Sequence, residues 1–115
     1  MEGEETTRQK KISRELQRDL AEIIRSRGMA AYEGAMVTVS GVRISSDLAQ
    51  AKVYVSIFPS AKAAAVMAKL GDETKRLRGD LGRLVAKQLR IVPELEFFLD
   101  DSLDYVEHID ELLKK

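Results

Sequence analysis

Residues 36–58 read Met36-Val37-Thr38-Val39-Ser40-Gly41-Val42-Arg43-Ile44-Ser45-Ser46-Asp47-Leu48-Ala49-Gln50-Ala51-Lys52-Val53-Tyr54-Val55-Ser56-Ile57-Phe58. In the second half Ala51, Val53, Val55 and Ile57 alternate with Lys52, Tyr54, Ser56 and Phe58, the period of a strand with one buried face. The first half, Met36 to Ser45, is rich in β-branched residues but changes phase at Gly41: Val37 and Val39 share one parity, Val42 and Ile44 the other. A β-bulge at the glycine reconciles the two phases. Ser45-Ser46-Asp47 is a turn signal, so the stretch reads as an antiparallel hairpin.

Upstream, Ile12, Leu16, Leu20, Ile23 and Ile24 recur at spacings of three and four, which predicts a helix from Thr6 or Thr7 to Arg27 stopped by Gly28. At about 100° per residue, Lys11, Arg14, Arg18 and Arg25 cluster opposite that apolar face, and Glu15, Asp19 and Glu22 form a separate flank. Downstream, Ser60 is placed to N-cap an alanine-rich helix over Ala61 to Leu70, and Gly71-Asp72 breaks it. Leu77, Leu81, Leu84 and Val85 mark a second helix from about Glu73 to Gln88. After Pro93, Leu95, Phe97 and Leu99 alternate with Glu94, Glu96 and Phe98 in a third strand. Asp100-Asp101-Ser102 then turns the chain into a short acidic amphipathic helix, Leu103 to Leu113, carrying Val106, Ile109 and Leu112. The reading is one α+β domain over residues 1–115 in the order αββααβ, with the helices on one face of a three-stranded sheet. A flexible N-terminus over 1–6 and the acidic stretch over 102–115 are its expected appendages.

The 115 residues carry 19 basic and 19 acidic side chains, but the zero balance conceals a segregation. Residues 8–27 hold seven bases against three acids and residues 62–90 eight against three, whereas residues 94–115 hold eight acids against two bases. Two basic helical segments and an acidic end are the pattern either of a solvated surface or of one that meets a polyanion, and the paired helices with a segregated acidic end favour the second. The absence of cysteine excludes disulfides, thiolate nucleophiles, zinc knuckles and iron–sulfur clusters, and fits the cytoplasm. The opening Met1-Glu2-Gly3-Glu4-Glu5 is no secretory leader, and no run approaches the ~18 apolar residues of a membrane span, so no membrane is expected. His108 sits among Asp104, Glu107 and Asp110 as a surface residue, and Asp100-Asp101 reads as a turn. Without a Ser/His/Asp order, a phosphate loop or a dinucleotide fingerprint, no catalytic residue, metal or cofactor is expected.

The stretch Val42-Arg43-Ile44-Ser45-Ser46-Asp47-Leu48-Ala49-Gln50-Ala51-Lys52-Val53-Tyr54-Val55-Ser56 resembles the hairpin signature of the bacterial ribosome-binding factor A family. Leu77-Arg78-Gly79-Asp80-Leu81-Gly82 is similar to that family's "LRxxL" helix start, and Leu89-Arg90-Ile91-Val92-Pro93-Glu94-Leu95-Glu96-Phe97 with Asp100-Asp101-Ser102-Leu103 to its "LRxxPELxF…DxSL" strand. The resemblance implies a type II KH-like domain that binds free 30S subunits and 16S ribosomal RNA and helps late maturation and rRNA processing. It further implies a cytoplasmic, non-catalytic monomer that works beside assembly GTPases. Where the family's common form has an Ala-x-Gly kink before the "LR" helix, this chain has Glu73-Thr74-Lys75, which moves the expected kink to Gly71. The two Leu-Arg pairs also stand two residues further apart than in the common form, about half a helical turn.

Affinity for RNA needs cations placed to meet phosphates. The candidates are Lys11, Arg14, Arg18 and Arg25 on the first helix, and Arg76, Arg78, Arg83, Lys87 and Arg90 on the later one. Gly79 and Gly82, with Ala86, make a small-residue stripe beside these arginines, where either a phosphate backbone approaches the helix or the preceding helix packs close. Gly79-Asp80-Leu81-Gly82 also fits the letters of a KH GxxG loop, but inside a helix. Tyr54 and Phe58, on the outward side of their strand, either stack on bases or pack on a terminal helix or loop. The acidic end serves partner recognition, screening of the basic face, or solubility. Two other functions compete: a protein-interaction adaptor using the acidic tail and open sheet face, and a small hydrolase, which lacks any acid, base or nucleophile constellation.

Overall fold

The computed structural model describes residues 6–85 and 92–100. Helix α1, Thr7–Arg27, starts in a capping box: the Thr6 hydroxyl accepts from Gln9 N at 3.1 Å, and Thr6 N donates to Gln9 Oε1 at 2.9 Å. Thr6, grouped above with the N-terminus, is therefore held as a cap. Gly28, at φ 83°, lies in the positive-φ region that glycine adopts at no steric cost, and the helix ends there as expected. A single turn of 3₁₀ helix over Met29–Tyr32 leads to β1, Met36–Ile44, and β2, Gln50–Phe58.

The two strands form the antiparallel hairpin that the alternation predicts. Val39 faces Val55 and Gly41 faces Tyr54, so Ser40 is the extra residue of the bulge. Because of it, Val37 and Val39 before the bulge, and Val42 and Ile44 after it, all sit opposite the core residues of β2: Ile57, Val55, Val53 and Ala51. The connection is closed by Asp47. Its carboxylate accepts from the Ser45 hydroxyl at 2.6 Å and from Ala49 N at 3.0 Å, contacts that hold it below the ordinary carboxylate range.

β3, Glu94–Leu99, lies parallel to β2 and completes a sheet of order β1-β2-β3. Helices α2, Ala63–Asp72, and α3, Thr74–Val85, connect β2 to β3, giving the αββααβ order of a type II KH-like domain. One core joins the layers: Leu16 and Leu20 of α1, Val53 and Val55 of β2, Val66 and Leu70 of α2, and Leu77 and Leu81 of α3 are all fully buried. Each such side chain contributes roughly 1.5–3 kcal/mol on burial.

Two local expectations are corrected. Ser60 does not cap α2: residues Ser60–Lys62 form a 3₁₀ turn that follows an extended Pro59, and α2 begins only at Ala63. Gly71 is not the kink either, because α2 runs through it to Asp72 and the interruption falls at Glu73. Its cause is tertiary. The Glu73 carboxylate accepts from Arg27 Nη1 at 2.8 Å, tying the junction to the end of α1, and the Thr74 hydroxyl donates into the Leu70 and Gly71 carbonyls at 3.1 and 2.9 Å. The break thus stands at the first of the three positions where the family's Ala-x-Gly was sought, built without a glycine.

Candidate nucleic-acid interface

α1 presents two polar faces with different tasks. Toward the sheet, Gln9, Ser13 and Gln17 recur at every fourth residue and lie along the outer edge of β1. Gln9 Nε2 donates to Ile44 O at 3.2 Å, Ser13 Oγ accepts from Ile44 N at 3.1 Å, and Gln17 Nε2 donates to Val39 O at 3.2 Å. These bonds meet backbone groups along the outer edge of β1. With this face and the apolar face engaged, Lys11, Arg14, Arg18 and Arg25 are left exposed. Arg25 is 77% exposed and, among the described residues, pairs only with Glu22, one turn back; Arg18 pairs weakly with the neighbouring Asp19 at 3.9 Å. Burial raises the Asp19 carboxyl above its ordinary range, against the pull of Arg18.

On α3 the predicted set divides. Arg76 and Arg83 are exposed, and Arg83 makes an i,i+3 pair with Asp80 at 3.3 Å. Arg78 is half-buried: its Nε donates to Pro93 O at 3.0 Å and its Nη2 to Val92 O at 2.8 Å, which holds the lead-in to β3 against α3. It has a scaffold role that the exposed Arg76 and Arg83 do not share. The glycine stripe divides as well. A Cβ on Gly79 would meet nothing within 4 Å, whereas one on Gly82 would sit 3.1 Å from Val92 Cγ2. Gly82 serves close packing, against the segment before β3 and not against the preceding helix. Lys87, Arg90, Ala86, His108, Asp101 and the acidic stretch 102–115 lie outside the described residues.

Arg27 is the residue that the sequence reading passed over. Only 17% exposed, it donates to Glu73 at 2.8 Å and to Asp80 at 2.7 Å, joining α1 to both ends of the first two turns of α3. The Asp80 carboxyl lies below the ordinary range, first because Arg27 donates to it, with the charges of Arg27, Arg83 and Arg76 assisting. The Tyr32 phenol is buried beside Arg27, and burial pushes its pKa up. No spacing rule marks Arg27, since its partners lie 46 and 53 residues away.

On the outward face of the sheet, Tyr54 of β2 stacks on Phe98 of β3 with ring centroids 5.5 Å apart, and Lys52 Nζ lies 5.9 Å from the Phe98 centroid. Tyr54 thus packs on a strand neighbour, while Phe58 is exposed. Among the described residues, no three His, Asp or Glu side chains are grouped to hold a metal ion, and no helix is long and apolar enough to cross a membrane.

Residues 8–113 match the family model of ribosome-binding factor A. The chain belongs to this family. It is 40% identical over 112 residues to ribosome-binding factor A of Christiangramia forsetii, covering 96% of this chain and 86% of the relative. To ribosome-binding factor A of Flavobacterium johnsoniae it is 44% identical over 113 residues, 95% of this chain and 85% of the relative. The crystal structure of ribosome-binding factor A from Thermus thermophilus superimposes with a TM-score of 0.68 at 30% identity, over 79% of this chain and 94% of that one. A homology model of the Thermus thermophilus ribosome-binding factor A, fitted into a cryo-EM map of its complex with the 30S subunit, aligns with a TM-score of 0.62 at 32% identity, over 76% and 90% of the two chains. The ribosome-binding factor A fold therefore comes here with the cationic row of α1 facing outward.

Proposed function

We propose that this protein binds free 30S subunits through the phosphates of 16S ribosomal RNA and assists their late maturation and rRNA processing, without catalysing a reaction itself. The observation that carries the reading is the outer row of α1. Lys11, Arg14, Arg18 and Arg25 share one exposed side of a 21-residue helix, and among the described residues none of them holds another element in place. A row of cations along a rigid rod meets successive phosphates and gains affinity by releasing counterions. Arg76 and Arg83 are exposed on α3, a helix in contact with α1, and belong to the same proposed surface. The family's name and the fitted 30S complex of the Thermus thermophilus relative support the choice of the small subunit. Work beside assembly GTPases in the cytoplasm, as a monomer, is part of the same proposal.

The test is the triple variant Lys11→Glu, Arg14→Glu and Arg18→Glu. Co-sedimentation with isolated small subunits is expected to weaken on the order of tenfold or more, with a shallower dependence on salt because fewer counterions are released. The melting temperature is expected to stay near the wild-type value. Undiminished co-sedimentation of the folded variant overturns the reading.

A further inference from the structure

Between the C-terminal half of α1, the 3₁₀ turn and the outer edge of β1 lies a groove of about 380 Å³. Its floor is apolar, with Ile24, Tyr32 and Val39 buried, and its lips are Met29 and Met36, 53% and 54% exposed. Arg25 stands on the rim. Ala21, also part of the lining, follows Arg14 by seven residues and precedes Arg25 by four, so both arginines border the same side of the helix. An apolar trough with a basic margin fits an amphipathic segment whose polar face is acidic.

The chain contains such a segment. Beyond Asp100, the residues Leu103, Val106, Ile109, Leu112 and Leu113 recur at helical spacing among Asp101, Asp104, Glu107, Asp110 and Glu111. Its starting point is held against the bulge residue of β1. Asp100 N donates to Val55 O at 2.7 Å, and the Asp100 carboxylate accepts from Ser40 Oγ at 2.7 Å, next to Val39 of the lining. Wound as the helix its spacing predicts, the stretch 103–113 spans about 16 Å, enough to cover the roughly 10 Å from Ala21 to Gly28 along α1. The other acidic end does not reach: residues 1–5 precede Thr6, roughly 22 Å of helix from Ala21, and five extended residues cover about 17 Å.

We infer that this groove is the seat of the chain's own C-terminal segment, residues 103–113, which docks in cis with Val106, Ile109 and Leu112 against Met29 and Met36 and with its carboxylates beside Arg25 and Arg14. The methionines make the test direct, because they stand at positions 1, 29, 36 and 67, and the chain has no cysteine to interfere with labelling. A spin label on Lys114→Cys in the full-length, methyl-labelled protein is expected to quench Met29 and Met36 strongly and to leave Met67, on α2, sharp. The quenching is expected to persist on dilution, and to vanish when Val106, Ile109 and Leu112 are all replaced by Ser. Unquenched Met29 and Met36 in the otherwise native chain overturn the assignment, as does quenching that fades on dilution, which would mean that a second copy supplies the segment. Neither measurement involves RNA or ribosomes, so failure here leaves the proposed binding to small subunits untouched.

Discussion

On α1, Lys11 and Arg14 make no ion pair among the described residues, and Arg18 and Arg25 pair only within their own helix. On α3, Arg78 is fastened to two carbonyls and Arg83 pairs with an Asp80 that Arg27 already holds. The two helices carry similar densities of positive charge in sequence, and among the described residues only the first displays its row intact. The difference lies in what stands opposite each side chain. The outer face of α1 looks at solvent, while α3 has the lead-in to β3 on one side and the end of α1 on the other. A cationic helix in a charge plot is therefore a mixture of display and scaffold, to be sorted by the acceptors the fold brings near.

The sharpest way to break this contrast is Arg27→Ala, which leaves Glu73 and Asp80 without their shared partner. It is expected to cost about 2–3 kcal/mol in urea denaturation, against about 0.5 kcal/mol or less for Arg14→Ala on the displayed row. Arg78→Ala comes next, at about 1–2 kcal/mol, with Arg78→Lys failing to restore it because a single ammonium does not reproduce the two-pronged contact to residues 92 and 93. Smaller still is the glycine pair. Gly79→Ala, in open helical surface, is expected to stabilise by about 0.5–1 kcal/mol, and Gly82→Ala to lose that gain against Val92. The subtlest measurement is stability against pH. Arg27 depresses the Asp80 carboxyl, so its stabilising contribution is complete above the unfolded value near 4 and is lost as pH falls through the lower native value. Asp80→Asn is therefore expected to flatten the acid limb of the stability profile; an unchanged limb would separate Asp80 from Arg27 in function.

What could be read directly from the residues was local. The extent of α1, the hairpin, the bulge and the switch of parity across Gly41 all follow from spacing, because each is decided within a few positions of itself. What escaped was decided at a distance. Ser60 has a capping side chain, but the chain passes through a 3₁₀ turn before α2 begins. Gly71 has the composition of a break, yet the junction is set at Glu73 by an arginine 46 residues earlier. Arg78 shares the helix of Arg76 and Arg83 and was grouped with them, and only the carbonyls 14 and 15 residues further on reveal its use. The outer row of α1 follows from helical projection, because no other element among the described residues pairs with it.

The ladder of Gln9, Ser13 and Gln17 along β1 has a consequence for the chain's solubility. A bare strand margin is a template on which other polypeptides add and aggregate, and here the shield over that margin is the same rod that carries the cations. Cleavage at Gly28 would thus do more than remove a cationic surface: it would uncover Val39 and Ile44 to any extended chain nearby. The expected product is a precipitate, so the rod guards the sheet as well as carrying the cations.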